Sequence, residues 1–227
     1  MTTLCLWAEP GVTPINWHEA CQAIAERDPR LGAIITRVGG DGFVGRPSPA
    51  AFESLAHSIV YQQLSGRAAE TIFRRFRALY RGSGRLDPEA VLATPPRRLR
   101  GAGLSEAKAR AIRDLAAHAV RGEIPSIPEL RRMTPDAVIE RLTVVRGVGR
   151  WTVEMLLLFR LGHPDVLPAH DLGIRKGFAR ITRRRELPEP DAVIRRGERW
   201  RPFRSVASWY LWRAAELPQA RSPARSR

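Results

Sequence analysis

The sequence of 227 residues is poor in cysteine and in lysine, and it has no long apolar segment. Two cysteines, Cys5 and Cys21, are too few to hold a zinc ion or an iron-sulfur cluster alone, and we expect them to be reduced. No apolar run reaches the roughly 18 residues of a membrane-spanning helix. Residues 1–10 also lack the basic start and apolar core of a signal peptide. We therefore expect a soluble, intracellular protein.

Alternation of apolar and polar residues, the pattern of a half-buried strand, is also missing over any convincing length. Apolar residues instead recur at helical spacing, for example at Phe52, Leu55, Ala56, Ile59 and Val60. No internal repeat is present. These patterns predict an all-α fold.

The charge balance is strongly basic, because 38 Lys and Arg residues face 23 Asp and Glu residues and give a net charge of +15. Only Lys108 and Lys176 are lysines, and the planar guanidinium of arginine suits phosphate. A charge of this size favours a polyanionic partner, of which nucleic acid is the leading candidate. Codon bias towards arginine is an alternative explanation of the excess. Charge alone therefore does not identify an enzyme.

Residues 142–171 carry the most informative pattern of the sequence. A short helix that begins at Pro135 is interrupted by Gly147-Val148-Gly149, and a second helix is predicted from about Arg150 to about Leu161. Both glycines can adopt a positive φ and let another backbone approach closely. The amides at the start of the second helix then form an anion site, for which a DNA phosphate is the natural occupant.

This hairpin, followed by Asp171 twenty residues after Trp151, resembles the signature of the helix-hairpin-helix (HhH-GPD) DNA glycosylase superfamily. The segments G-V-G-R-W-T at 147–152 and P-A-H-D-L-G-I-R-K at 168–176 are most similar to the 3-methyladenine DNA glycosylase II (alkyladenine) branch. The resemblance implies a two-lobed helical glycosylase in a compact form without the N-terminal β domain of some relatives. It also implies a monomer that binds double-stranded DNA containing alkylated bases and acts in base excision repair.

The resemblance and the helical pattern together predict the domain organisation. Residues 1–14 are expected to form a flexible arm, and residues 218–227 a disordered tail. Between them, residues 15–217 form the glycosylase domain, with one lobe at about 15–67 and 162–217 and the other at about 68–161, including the hairpin at 135–161. The compartment is expected to be the cytoplasm, at the nucleoid, for a bacterial protein and the nucleus for a eukaryotic one.

Asp171 is the predicted catalytic residue. It precedes a helical pattern, which places it at a helix N-cap where the backbone amides favour its anionic form. A fixed carboxylate can stabilise the oxocarbenium-like C1′ centre of glycosidic cleavage, or orient or deprotonate the attacking water. A purely structural cap is the alternative, and the spacing from the hairpin favours catalysis.

Trp151 occupies the position at which bifunctional members of the superfamily carry a lysine that forms a Schiff base with the sugar. Tryptophan has no such nucleophile, so the resemblance implies a monofunctional enzyme without lyase activity and without a required cofactor. Alkylated bases such as 3-methyladenine and 7-methylguanine are cationic and are attracted to aromatic faces. The base pocket is expected to contain Trp151, Trp212, Met155, Gln62, Tyr61 and Leu172, with Trp209 as a further candidate.

The Q-Q-L-S turn at 62–65 resembles the turn that, in this family, faces the minor groove and fills the gap left by the extruded base. Gln63 and Leu64 are both candidates for that wedge, and a polar turn without a role in DNA binding is the alternative. The predicted DNA contacts are Gly147, Val148, Gly149, Arg150, Thr152, Gln63, Leu64, Ser65, Arg175 and Lys176. The resemblance also implies a structural Na⁺ or K⁺ ion at the main-chain carbonyls of Thr143, Val145 and Val148.

Two other functions stay open on the sequence alone. A non-catalytic helix-hairpin-helix module would bind DNA without using Asp171, and a glycosylase for mismatched or oxidised bases would share the fold. Three residues depart from the family pattern and leave the range of lesions open: Arg146 where many members carry proline, His170 where an acidic residue is frequent, and Met155 where a relative carries an aromatic residue.

Overall fold

The computed structural model describes residues 16–40, 50–80 and 85–218, and within these ranges it contains helices and no strand. The prediction of an all-α fold is confirmed. In the same ranges, no helix has the length and apolar character needed to cross a membrane. The predicted arm at 1–14 and the predicted tail beyond Pro218 lie outside the described residues.

Thirteen α-helices follow one another in the described ranges. They are α1 (Trp17–Arg27), α2 (Pro29–Val38), α3 (Ala51–Tyr61), α4 (Gly66–Ala78), α5 (Pro88–Ala93), α6 (Pro96–Gly101), α7 (Glu106–Val120), α8 (Ile127–Arg132), α9 (Pro135–Thr143), α10 (Arg150–Leu156), α11 (Leu172–Ile181), α12 (Pro190–Gly197) and α13 (Arg204–Glu216). A π-helical turn at Leu157–Leu161 continues α10, and a 3₁₀ turn at Glu198–Trp200 continues α12.

The chain divides into two compact units. The described part of the first unit comprises residues 16–40 and 164–218, and that of the second comprises residues 50–80 and 85–163. The predicted boundary at residue 67 placed α3 in the first lobe, and the structure corrects this by placing α3 in the second unit. The reason is that the apolar face of α3 packs against α4, α7 and α10.

In the first unit, α11 and α13 pack closely because Gly177 has no side chain. A Cβ atom at this position would lie 1.9 Å from the backbone oxygen of Leu211 on α13. Ile174, Phe178 and Ile181 form the rest of the buried face of α11. The close approach brings the N-terminal end of α11 beside the side chain of Trp212 on α13.

A buried ion pair joins α2 to the chain around α12. Asp28, the N-cap of α2, is fully buried and accepts hydrogen bonds of 2.7 Å from both Nε and Nη2 of Arg196. Trp200 Nε1 donates a third bond of 3.0 Å. Burial by itself raises the pKa of Asp28, but the hydrogen bonds from Arg196 and Trp200 and the charge of Arg196 outweigh it and leave that pKa below its usual value.

The second unit is organised around α7. Ala109, Ile112, Leu115 and Ala116 form its buried face, against which α3, α5 and α6 pack. On α3, the apolar positions predicted from the helical spacing are buried, as Leu55, Ala56, Ile59 and Val60 are each 1% exposed or less. Amphipathic spacing therefore identified the core of this unit correctly.

The substitution Asp28→Asn is expected to destabilise the protein by about 3 kcal/mol, because it leaves the Arg196 guanidinium without its buried carboxylate. Urea denaturation measured at pH 7 checks this value. Since the pKa of Asp28 is lowered in the folded state, the advantage of the wild type is complete above about pH 4, where an unfolded aspartate is ionised. The advantage should shrink as the pH falls through the folded pKa, and equal stability at pH 7 would contradict the role of the ion pair.

Candidate active site

Asp171 is the N-cap residue of α11, as predicted. Its backbone is extended, with φ −66° and ψ 130°, and its Oδ1 atom accepts a hydrogen bond of 2.9 Å from the amide of Ile174. The same oxygen accepts a bond of 2.8 Å from the indole Nε1 of Trp212. One donor belongs to the helix backbone and the other to α13, so the plane of the carboxylate is fixed from two sides.

Gly173 is a residue of this site that the sequence did not single out. A Cβ atom there would lie 2.7 Å from Trp212 Cδ1 and 3.0 Å from Asp171 Oδ1. Glycine is therefore required by space and not by conformation, because any side chain would push the indole away from the carboxylate. A glycine two residues after a capping aspartate is the only trace of this requirement in the sequence.

Large apolar side chains in the predicted binding elements are exposed to solvent. Leu172, next to Asp171, is 52% exposed, Trp151 is 46% exposed, and Leu64 in the Q-Q-L-S turn is 39% exposed. Val144, which precedes the hairpin, is 64% exposed. Leu172, Trp151 and Leu64, all predicted pocket or DNA-contact positions, are therefore accessible to a partner.

The hairpin in the second unit has two glycines with different roles. Gly147 has a φ of 77°, as predicted, and a Cβ atom on it would lie 2.8 Å from Ala111 Cβ on α7. Gly149 has φ −87° and ψ 168°, so the prediction of a positive φ is wrong for this residue. It is the N-cap of α10, and a Cβ atom on it would meet nothing within 4 Å. Gly147 thus serves packing, while Gly149 leaves the start of α10 open.

The turn at 62–65 is tied directly to this hairpin. The side-chain amide of Gln62 donates bonds of 2.9 Å to Gly147 O and 3.1 Å to Thr152 Oγ1. Thr152, a predicted DNA contact, is only 3% exposed, and its hydroxyl accepts the bond from Gln62. Gln63 has a φ of 56°, a left-handed conformation that is costly for a residue other than glycine.

The predicted pocket residues fall into both units. Trp212 and Leu172 lie beside Asp171 in the first unit, and the second unit contains Trp151, Met155, Gln62 and Tyr61. One face of the Tyr61 ring stacks on His57 at 3.9 Å, and its hydroxyl donates to Glu70. Burial and the neighbouring Glu70 raise the pKa of Tyr61 to about 12.

Trp209, the further aromatic candidate, packs against Trp17 and Tyr210. Its ring makes edge contacts with Trp17 at 5.7 Å and with Tyr210 at 4.7 Å, and Arg213 lies over it at 5.4 Å. Trp209 thus belongs to an aromatic cluster that joins α1 to α13. It differs in this from Trp212, whose indole nitrogen is bonded to Asp171.

The predicted cationic contacts after Asp171 have different surroundings. Arg175 donates a bond of 2.8 Å to Pro188 O and lies 3.8 Å from Glu189, so its guanidinium is held by the protein. Lys176 lines a groove of about 1470 Å³ in the first unit. The other basic residues of this groove are Arg30, Arg37, Arg180, Arg183, Arg184 and Arg185, and Glu186 is its only acidic lining residue. Lys176 and the arginine run are therefore available to an anion.

The carbonyls predicted to hold a monovalent cation are partly free. Val145 O accepts a bond of 3.0 Å from the amide of Val148. Within the described residues, Thr143 O and Val148 O accept no backbone bond outside the helices. Carbonyl oxygens at a helix end are suitable ligands for a hard cation, so the residues present fit the predicted ion.

Comparison with known proteins identifies the family of this chain. A family model described as HhH-GPD superfamily base excision DNA repair protein matches residues 56–202. DNA-3-methyladenine glycosylase 1 of Schizosaccharomyces pombe is 37% identical over 174 residues, which are 77% of this chain and 76% of that protein.

Two solved structures are similar over most of their length. The 3-methyladenine DNA glycosylase of Schizosaccharomyces pombe in complex with abasic DNA has a TM-score of 0.75 and 34% identity, covering 88% of this chain and 97% of that one. A DNA-3-methyladenine glycosidase from Bacillus halodurans has a TM-score of 0.78 and 35% identity, covering 87% and 89%. The chain belongs to the HhH-GPD superfamily of base excision DNA repair proteins.

Proposed function

We propose that this protein is a monofunctional DNA glycosylase that hydrolyses the N-glycosidic bond of alkylated bases of the 3-methyladenine and 7-methylguanine type. It acts in base excision repair, as a monomer on double-stranded DNA. The observation that carries the proposal is the carboxylate of Asp171, held at the N-cap of α11 by the Ile174 amide and the Trp212 indole. The names of the similar proteins support the substrate class.

In the proposed reaction the target nucleotide is first flipped out of the duplex, which is easier when alkylation weakens its pairing. The bond between C1′ and the base nitrogen breaks, and its electron pair neutralises the cationic base. C1′ then acquires positive charge, which the negative charge of Asp171 stabilises. A water adds its hydroxyl to C1′, and Asp171 orients it and takes its proton. No strong general acid is needed, because the departing base is neutral.

Aromatic and apolar side chains are proposed to recognise the cationic base. An electron-rich indole attracts a cationic ring by roughly 0.5–2 kcal/mol for each good contact. Trp212 presents such a ring next to Asp171, and Trp151 presents an exposed one in the second unit. Leu172 in the first unit and Met155 in the second each add aliphatic surface, so recognition is proposed to tolerate alkylated purines of more than one shape.

DNA binding is proposed to use two elements of the second unit. The open backbone at Gly149 exposes the amides at the start of α10 to a phosphate. The turn at 62–65 presents Gln63 and Leu64 to the duplex, and the left-handed Gln63 is a type of local strain that proteins retain at functional positions. A Na⁺ or K⁺ ion at Thr143 O, Val145 O and Val148 O would add positive charge beside that phosphate.

The substitution Asp171→Asn tests the chemical role. Asparagine is as good an N-cap as aspartate, and its Oδ1 can accept the same two bonds, so the thermal unfolding midpoint should stay close to that of the wild type. Release of radiolabelled methylpurines from alkylated DNA should fall by about 10²- to 10³-fold, because the charge at C1′ is lost.

Asp191→Asn, a change of an exposed acidic residue on α12, serves as the control and should release bases at the wild-type rate. Unchanged release by Asp171→Asn would favour a non-catalytic DNA-binding module. A wild-type protein that releases no methylated base, but does release a mismatched or oxidised one, would contradict the proposed substrate class.

A second test concerns Trp151. Because no amine occupies this position, incubation of the wild-type protein with alkylated duplex and sodium borohydride should give no covalent protein-DNA adduct. The abasic strand should stay uncut until it is treated with alkali. A trapped adduct would refute the monofunctional mechanism, and its disappearance in Lys176→Met would assign the amine to Lys176.

The substitution Gly149→Leu tests the phosphate site. Its backbone suits any residue and its Cβ meets nothing within 4 Å, so the unfolding midpoint should fall only slightly, because leucine is a poorer N-cap than glycine. The new side chain covers the amides at the start of α10, and affinity for undamaged duplex should fall about tenfold in a fluorescence anisotropy titration.

Gly147→Ala should lower the unfolding midpoint and leave the affinity for undamaged duplex unchanged. Its positive φ and its contact with Ala111 predict a lower unfolding midpoint. Full DNA affinity in Gly149→Leu would argue against a phosphate at the start of α10.

A further inference from the structure

One face of α7 supports both elements that are proposed to meet DNA. Lys108, Ala111 and Asp114 follow one another at intervals of three residues, so their side chains lie on the same side of the helix. Lys108 contacts the end of α3, where the turn at 62–65 begins. Ala111 and Asp114 contact the hairpin.

Lys108 closes the C-terminal end of α3. Its Nζ atom donates bonds of 2.7 Å to Val60 O and 2.8 Å to Gln62 O. Carbonyls at the end of a helix have no partner within the helix, and a cation is favoured there by the helix dipole. Gln62 has a ψ of 131°, so the chain leaves the helix at the residue whose carbonyl Lys108 holds.

The choice of lysine suits this position. Lys108 is one of only two lysines among 38 basic residues, and a compact ammonium group can donate to two carbonyls at once. Burial lowers the pKa of Lys108, as expected for an ammonium that is partly removed from water.

The turn at 62–65, which follows α3, is held in an unfavourable conformation. Gln63 has a φ of 56°, and the amide of Leu64 reaches back to Tyr61 O at 3.4 Å. A left-handed glutamine persists only where its surroundings hold it. Here the surroundings are the bonds from Lys108 to Gln62 O and from the Gln62 side chain to Gly147 O and Thr152 Oγ1.

The hairpin rests on the same face of α7. Gly147 lies so close to Ala111 that a Cβ on it would come within 2.8 Å of Ala111 Cβ. Asp114 Oδ2 accepts a bond of 2.8 Å from the amide of Arg146, which enters the hairpin. Together with the bond from Gln62 to Gly147 O, these contacts set the spacing between the turn and the hairpin.

We propose that Lys108 is a positioning residue for base flipping, which holds the turn at 62–65 in its strained shape and at a fixed distance from the phosphate site of the hairpin. The proposal rests on the proposed function, since it assigns the turn to the gap left by the extruded base. Lys108 itself touches neither the base nor the sugar. Its loss should therefore impair flipping and leave the docking of undamaged DNA intact.

The test compares Lys108→Met, which keeps the length of the side chain, with Arg110→Met on the exposed side of the same helix. Arg110 forms an ion pair with the exposed Glu106 and should behave as wild type throughout. For Lys108→Met we expect undamaged duplex to bind within twofold of wild type. Single-turnover release of methylpurines should fall about tenfold, as should the fluorescence increase of a 2-aminopurine placed beside the lesion.

A double-mutant cycle separates positioning from a general loss of structure. In a background of Gln63→Ala with Leu64→Ala, the further change Lys108→Met should have no additional effect on release, because the side chains that it positions are gone. Equal losses in both backgrounds would overturn the proposal, as would wild-type fluorescence in Lys108→Met.

The variant Lys108→Arg and the fluorescence measurement cover two remaining cases: an unfolded Lys108→Met, and a wild-type protein that does not release the base. If Lys108→Met unfolds, Lys108→Arg retains the charge at the end of α3 and should show a smaller loss of the fluorescence response with a normal undamaged-DNA affinity. The fluorescence measurement does not require base release. A wild-type protein that flips but does not cleave would therefore contradict the proposed function, while leaving the role of Lys108 to be decided by its own variant.

Discussion

The contact between α11 and α13 at Gly177 is the constraint on which the position of Asp171 depends. The two backbones come close enough that a methyl group at Gly177 would overlap Leu211 O. That approach allows the indole of Trp212 to donate to Asp171, and Gly173 keeps the space between the two side chains clear. A carboxylate that stabilises a developing positive charge is most effective when it is already in position, because any reorganisation during the reaction costs free energy. The two glycines and the helix cap supply that rigidity.

The second unit carries the hairpin and the turn at 62–65, the two elements that are proposed to bind DNA. Its hairpin exposes Gly149 and buries Val145 and Val148, so the loop is anchored on one side and open on the other. The adjacent turn carries the strained Gln63, and the strain is supported by Lys108 and by the hydrogen bonds of Gln62. Hairpin and turn are thus parts of one hydrogen-bonded assembly on α7.

Much of this could be predicted from the sequence where the signal is local. The N-cap position of Asp171, the helices on both sides of the hairpin and the positive φ of Gly147 were predicted correctly, because caps and turns depend on a few adjacent residues. The burial of Thr152 was not predicted, because it depends on neighbours distant in sequence, such as Gln62. The extended backbone of Gly149 and the stacking of Tyr61 on His57, four residues earlier on α3, were not predicted either. The prediction that α3 belongs to the first lobe failed because two of its packing partners, α7 and α10, are distant in sequence.

The sequence by itself determined the helical class, the hairpin, the capping aspartate and the absence of an amine at Trp151, since periodicity, glycine and side-chain chemistry act over short distances. Only the tertiary structure decided that Trp212 donates to Asp171, that Gln62 joins the turn to the hairpin, and that Lys108 holds the end of α3. These hydrogen bonds span 41, 85 and 48 residues of chain respectively. Hydrogen bonds need placement within a few tenths of an ångström, and over such separations only the packing of the helices provides it.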